Sequence, residues 1–195
     1  MVNKNIAMIT RCAVFAAVLT VCSWVSVPMP FSLVPITLQT MAVLLIAVML
    51  RPTETLYTTL VWILLGVIGL PVFSGFQSGI GTIMNYTGGF IIGFIPAAWL
   101  LSFILNSGQN PSEVRGKIDG IGYIKLIAGV LLSSVIIYLF GVPWFMYVLD
   151  KNLTEALTLS CLPYLPGDVI KAVVVIAAYP ALARLRRYVI VHTRS

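Results

Sequence analysis

Six apolar runs, separated by short polar or irregular stretches, decide what this chain can fold into. They extend over about Ile6–Val27, Ile36–Leu50, Thr53–Leu70, Gly89–Leu105, Tyr123–Leu149 and Pro166–Leu185. Each is near the ~20 residues that an α-helix needs to cross the hydrocarbon of a bilayer. Only 9% of the residues are charged and 59% are hydrophobic, whereas roughly a quarter of a soluble domain is charged. A water-soluble core of this length cannot enclose so much apolar side chain, so lipid must cover much of it. The sequence predicts an all-α integral membrane protein with six transmembrane helices, residues 1–195 forming a single transmembrane domain. Lys4 and Arg11, placed ahead of the first apolar run, give it a signal-peptide look. No small-residue cleavage site leads into a soluble protein, and the run reads as a retained first helix.

Six spans put both termini on one side of the membrane. That side then carries Lys4, Arg11, Arg51, Arg115, Lys117, Lys125, Arg184, Arg186, Arg187 and Arg194, ten of the twelve basic residues. Lys151 alone falls opposite, and Lys171 lies within the last span. The positive-inside rule makes the basic side cytoplasmic. Topology thus accounts for the net charge of +6, and the basic residues do not interleave with exposed aromatics as nucleic-acid binding would require.

Two connections are poor solvent loops. VPMPFSLVPITLQT follows the first run and cannot be a regular helix through Pro35. PVFSGFQSGIGTIMNYTGG follows the third and is rich in glycine and amides. Both fall on the outer side, yet Phe31, Leu33, Val34, Phe73, Phe76, Ile80 and Ile83 make them apolar. Non-helical backbone at membrane depth must be buried in protein or line a cavity. Re-entrant or lid loops over an outward-facing pocket are therefore expected.

The same outer level holds PGDVIK, which opens the last run. Asp168 and Lys171 stand three residues apart, on one helical face. A charge at mid-helix is costly in lipid, by roughly 2.5–3.5 kcal/mol on insertion scales, so a paired, cavity-facing position is the default. Asp168 also suits an N-cap, and Lys171 could reach the headgroups along its stem. Gln39 opens the second helix nearby, fit for a helix–helix hydrogen bond or a ligand. Gln77, Asn85, Tyr86 and Thr87 lie in the glycine-rich loop, where the amides can both donate to and accept from a neutral polar group. On the first helix Ala13 and Ala17, with Ala16, make a small-residue face that permits close helix contact. Gly89 and Gly93 repeat that spacing as an expected internal contact. Cys12, Cys22 and Cys161 lie in apolar runs without pairing, and neither a disulfide framework nor a metal site is expected. A phosphate-cradling Walker A loop, HExxH and a Ser-His arrangement are all missing, and His192 is the single histidine. The chain is not expected to be an enzyme or to need a cofactor.

With those residues in view, the sequence resembles the BioY family, the biotin-specific substrate-binding components of energy-coupling-factor vitamin transporters. The likeness rests on VPMPFSLVPITLQT, on GLPVFSG with the loop ending TGGFIIGF, and on PGDVIK, in order along nearly the whole chain. It implies a six-helix protein in a prokaryotic cell membrane, with its vitamin site near the outer face. It also implies a transmembrane coupling subunit and two cytoplasmic ATPase subunits as partners, biotin being the transported ligand. The family's acid and base fall on Asp168 and Lys171, and its docking face on Ala13 and Ala17. Where some members carry arginines suited to the vitamin's carboxylate, this sequence has Gln77 and Ile91. That leaves Lys171 as the nearby cation. The alternatives are a component for another vitamin or a stand-alone secondary transporter, although no inverted repeat is evident.

Overall fold

A computed structural model describes residues 4–29, 32–107 and 120–191. Pro30, Phe31, Arg115, Lys117, His192 and Arg194 lie outside the described residues. The six apolar runs become helices α1 (Lys4–Trp24), α2 (Gln39–Met49), α3 (Pro52–Val67), α5 (Gly88–Asn106), α6 (Gly120–Leu149) and α8 (Leu165–Val191). Two shorter helices, α4 (Ile80–Met84) and α7 (Leu153–Ser160), occupy connections. α1, α5, α6 and α8 are long and apolar enough to cross a membrane. α2 and α3 are shorter.

The expectation of an all-α chain needs one correction. Residues after α1 form an antiparallel hairpin, β1 (Ser26–Met29) with β2 (Ser32–Thr37). Pro28 and Pro35 have no N–H to continue a helix, and strand pairing satisfies their neighbours instead. Ser26 pairs with Thr37 and Val27 with Ile36, while the register is irregular between Val27 and Met29, around Pro28. Prolines are tolerated here because a two-stranded ribbon is all edge.

The central helix is α2. Ala42, Val43, Ile46, Ala47 and Val48 are fully buried, and the helix packs against α1, α3, α5 and α8. An 11-residue helix rises only about 17 Å, so protein rather than lipid surrounds most of it. The most extensive interface is between α5 and α6. As expected, Gly89 and Gly93 make it possible: a Cβ on Gly89 would lie 2.3 Å from the Trp144 Cβ and 2.6 Å from the Phe140 carbonyl oxygen. Ser133 Oγ also donates to the Ala97 carbonyl across this interface, at 2.8 Å. α1 and α8 lie at the periphery and expose Ile6, Ile9, Val14 and Val21, and Val169, Ile170 and Val173.

Polar contacts gather at the two ends of the bundle. At one end Arg11 on α1 pairs with Glu54 in the first turn of α3, and the Arg51 backbone N–H donates to Glu54 Oε2 at 3.3 Å. Glu54 is only 3% exposed, a buried acid that the apolar periodicity of its helix conceals. At this same end Arg186 donates to Asn106 Oδ1, and Lys125 Nζ to the Ser107 carbonyl at 2.6 Å. The opposite end contains the cavity.

Candidate ligand-binding cavity

The first turn of α8 supplies the charges. Leu165 starts the helix, so Asp168 falls within the first turn rather than at the cap, with its backbone N–H donating to the Tyr164 carbonyl at 2.8 Å. A carboxylate there is favoured by the helix dipole. Lys171, one turn on, donates from Nζ to Asp168 Oδ1 at 3.0 Å and to Thr40 Oγ1 on α2 at 2.9 Å. It is 9% exposed, so the ammonium is turned into the protein instead of reaching along its stem to water. The hydroxyl of Tyr138, on α6, donates to the other carboxylate oxygen, Asp168 Oδ2. Three helices thereby fix one ion pair, and no third acceptor for the lysine is found among the described residues.

This pair forms one wall of a cavity of about 370 Å³, within the range of small-molecule sites. The hairpin contributes Ser26, Pro28, Val34, Pro35 and Thr37 to the lining, and the loop after α3 contributes Phe73, Ser74, Gly75 and Gln77. The two irregular connections thus come together over one pocket, as their apolar character demands. The hairpin is pinned in place by the Tyr164 hydroxyl, which donates to the Val34 carbonyl. Phe90, Ile91, Phe94 and Ile137 supply an apolar side. Phe90 meets Tyr138 edge-on, with ring centroids 6.2 Å apart.

Of the residues singled out in the sequence, Asp168, Lys171, Gln77, Tyr86, Thr87 and Gln39 all line this cavity. Gln39 is 5% exposed, and its Nε2 has no hydrogen-bond partner among the described residues. Asn85 does not share the lining. Its Oδ1 accepts from the Tyr86 N–H at 2.8 Å, and its carbonyl accepts from Trp144 Nε1 at 2.9 Å. That amide shapes the turn into α5. Ile91, at the position compared with a family arginine, does line the cavity. Ala13 and Ala17 are exposed on the far side of α1 while Ala16 is buried. Thr40, Tyr138, Ser160 and Tyr164 line the cavity too, and sequence reasoning missed them. Between α7 and α8, burial and then the Asp168 carboxylate push the Cys161 thiol up.

A profile of the BioY family matches residues 1–188. The chain belongs to the BioY family. Its similarity to other members extends end to end. It is 34% identical over 192 residues to "Biotin transporter BioY2" of Lactococcus lactis subsp. cremoris, covering 96% of this chain and 98% of that one. It is 36% identical over 160 residues to "Probable biotin transporter BioY" of Pyrococcus horikoshii, with 82% and 86% covered. The crystal structure of the S-component for biotin from an ECF-type ABC transporter superposes with a TM-score of 0.80 at 25% identity, covering 96% of this chain and 94% of that one. This BioY family member is a multi-pass membrane protein.

Proposed function

We propose that this protein captures biotin from outside a prokaryotic cell and delivers it inward as the substrate-binding component of an energy-coupling-factor transporter. The observation that carries this is the part-buried Asp168–Lys171 pair opening on a cavity of about 370 Å³ in a chain similar over most of its length to biotin transporters. Biotin offers two ureido N–H donors, a carbonyl, an apolar bicycle and a carboxylate tail. Asp168 accepts from a ureido N–H, and Gln39, Thr87 and Gln77 supply further donors and acceptors. Phe90, Phe94 and Ile91 cover the bicycle. Six helices cross the membrane, the short α2 being sheltered by its neighbours, and both termini are cytoplasmic. Ala13 and Ala17 present the face that meets the coupling subunit, whose two ATPase partners hydrolyse ATP. Labelled biotin should enter cells that express this chain with its coupling subunits. Equal uptake by cells lacking any coupling subunit would contradict the assignment in favour of a stand-alone carrier.

Two further outcomes follow from the geometry. Tyr138→Phe removes one charge-assisted hydrogen bond to Asp168 and keeps the ring against Phe90. Such a bond contributes roughly 1.5–3 kcal/mol, part of which Lys171 retains, so biotin affinity should fall about tenfold in equilibrium titration. Ligand-carboxylate recognition should be weak. Lys171 is the cation among the described lining residues, and it already serves Asp168 and Thr40. Biotin amide should therefore bind within about tenfold of biotin, a difference of about 1.4 kcal/mol.

A further inference from the structure

The exposed small-residue face of α1 ends in an aromatic. Trp24 lies two helical turns beyond Ala17 and hence on the same face as Ala13 and Ala17, and all three are exposed. Its ring stacks on Phe76 with centroids 5.0 Å apart and planes at 24°, while Nε1 donates to the Pro71 carbonyl at 2.7 Å. Both partners belong to the connection that covers the cavity. That connection is closed on itself: the Phe73 N–H donates to the Gln77 carbonyl at 3.1 Å, and the Gln77 N–H to the Ser74 carbonyl at 3.3 Å. Phe73, Ser74, Gly75 and Gln77 face the cavity, whereas Phe76 is not in its lining and is 59% exposed.

The turn is also strained. Gly75 has φ 63° and Phe76 has φ 62°. The first value suits glycine, but a bulky side chain is rarely found in the left-handed region, at a cost of roughly 1–3 kcal/mol. Strain of this kind persists when surrounding contacts over-determine it. The stack on Trp24 is the contact that draws Phe76 outward, and reversing its φ would pull Gln77 and Ser74 from the cavity mouth.

We propose that Trp24 and Phe76 form a latch through which movement of α1, engaged along its exposed face, opens the loop that covers the cavity. The latch needs only the geometry described. Its link to a partner rests on the reading of the Ala13–Ala17 face as a docking surface. The strained turn is the element with two arrangements, and α1 biases it.

Access to the cavity can be measured without ligand. A single cysteine replaces Ile91, which is 5% exposed in the cavity wall, in a protein with Cys12, Cys22 and Cys161 changed to alanine. A membrane-impermeant cationic methanethiosulfonate then reports its accessibility. Phe76→Ala, at a 59% exposed position, keeps the strained backbone and removes the stack, so it should raise the modification rate by up to about tenfold. Trp24→Ala, which loses both the stack and the hydrogen bond to the Pro71 carbonyl, should raise it at least as much, Trp24→Phe should fall between Trp24→Ala and the parent, and Trp24→Ala with Phe76→Ala should be no faster than Trp24→Ala alone. Equal rates in all forms, or multiplying effects, would overturn the latch. Adding the coupling subunit should raise the parent rate and leave Phe76→Ala unchanged. An unchanged parent rate would overturn the link to docking, whatever the ligand proves to be.

Discussion

Replacing Asp168 with asparagine should weaken biotin binding by about 100-fold or more. The carboxylate accepts from Lys171 Nζ at 3.0 Å and from the Tyr138 hydroxyl, and it faces the cavity. An amide at this position keeps one acceptor oxygen but removes the negative charge, so Lys171, 9% exposed, loses its counter-charge. Truncating one partner of a buried, hydrogen-bonded charge pair typically costs roughly 2–5 kcal/mol, and about 2.7 kcal/mol corresponds to 100-fold. Two effects contribute, loss of the charged acceptor for the ligand and an uncompensated lysine, and a second variant separates them. Asp168→Asn with Lys171→Met contains no buried charge, so its thermal midpoint in detergent should return towards that of the wild type. Its affinity should stay low, because the charged acceptor is still missing. Recovery of binding in the double variant would show that Asp168 serves only to neutralise Lys171.

At the opposite end, Glu54→Gln should be strongly destabilising. Glu54 is 3% exposed and pairs with Arg11, whose side chain is 15% exposed, tying α1 to α3. Breaking a buried pair by removing one partner costs roughly 3–5 kcal/mol, whereas exchanging both for apolar side chains is often neutral. Thermal unfolding in detergent should show a large drop in midpoint for Glu54→Gln and a much smaller one for Arg11→Met with Glu54→Met. Biotin affinity should change by less than about threefold in the double variant, since sites without shared partners act independently. If the single and double variants unfold alike, the pair contributes packing rather than charge compensation.

The helices were legible because each is an apolar run ended by proline, glycine or charge, as at Arg51-Pro52. The order of the six long ones needed nothing else, whereas the short α4 and α7 in the connections were not anticipated. The hairpin was not legible. Pro28 and Pro35 exclude helix but also speak against strands, and neither strand shows clean alternation. What makes it form is tertiary: the Tyr164 hydroxyl on the Val34 carbonyl, which no local pattern encodes. Asp168 and Lys171 stood out because two charges three residues apart are costly in an apolar helix. Tyr138 did not, since a tyrosine is ordinary in a membrane helix, and its partner lies 30 residues away across a helix crossing. Glu54 did not stand out either, since an acid in a first helical turn is ordinary. Asn85 shows the converse: an amide before a helix serves the turn as readily as a ligand, and here its Oδ1 accepts from the next residue's N–H.

The central claim is that the cavity beside Asp168 and Lys171 is where biotin binds. Mass spectrometry of the small molecules that co-purify with the detergent-solubilised protein tests it most directly. Wild-type protein should carry one biotin per chain, and Asp168→Asn prepared in parallel should carry almost none. A different vitamin in the wild type, or equal biotin in both proteins, would contradict it.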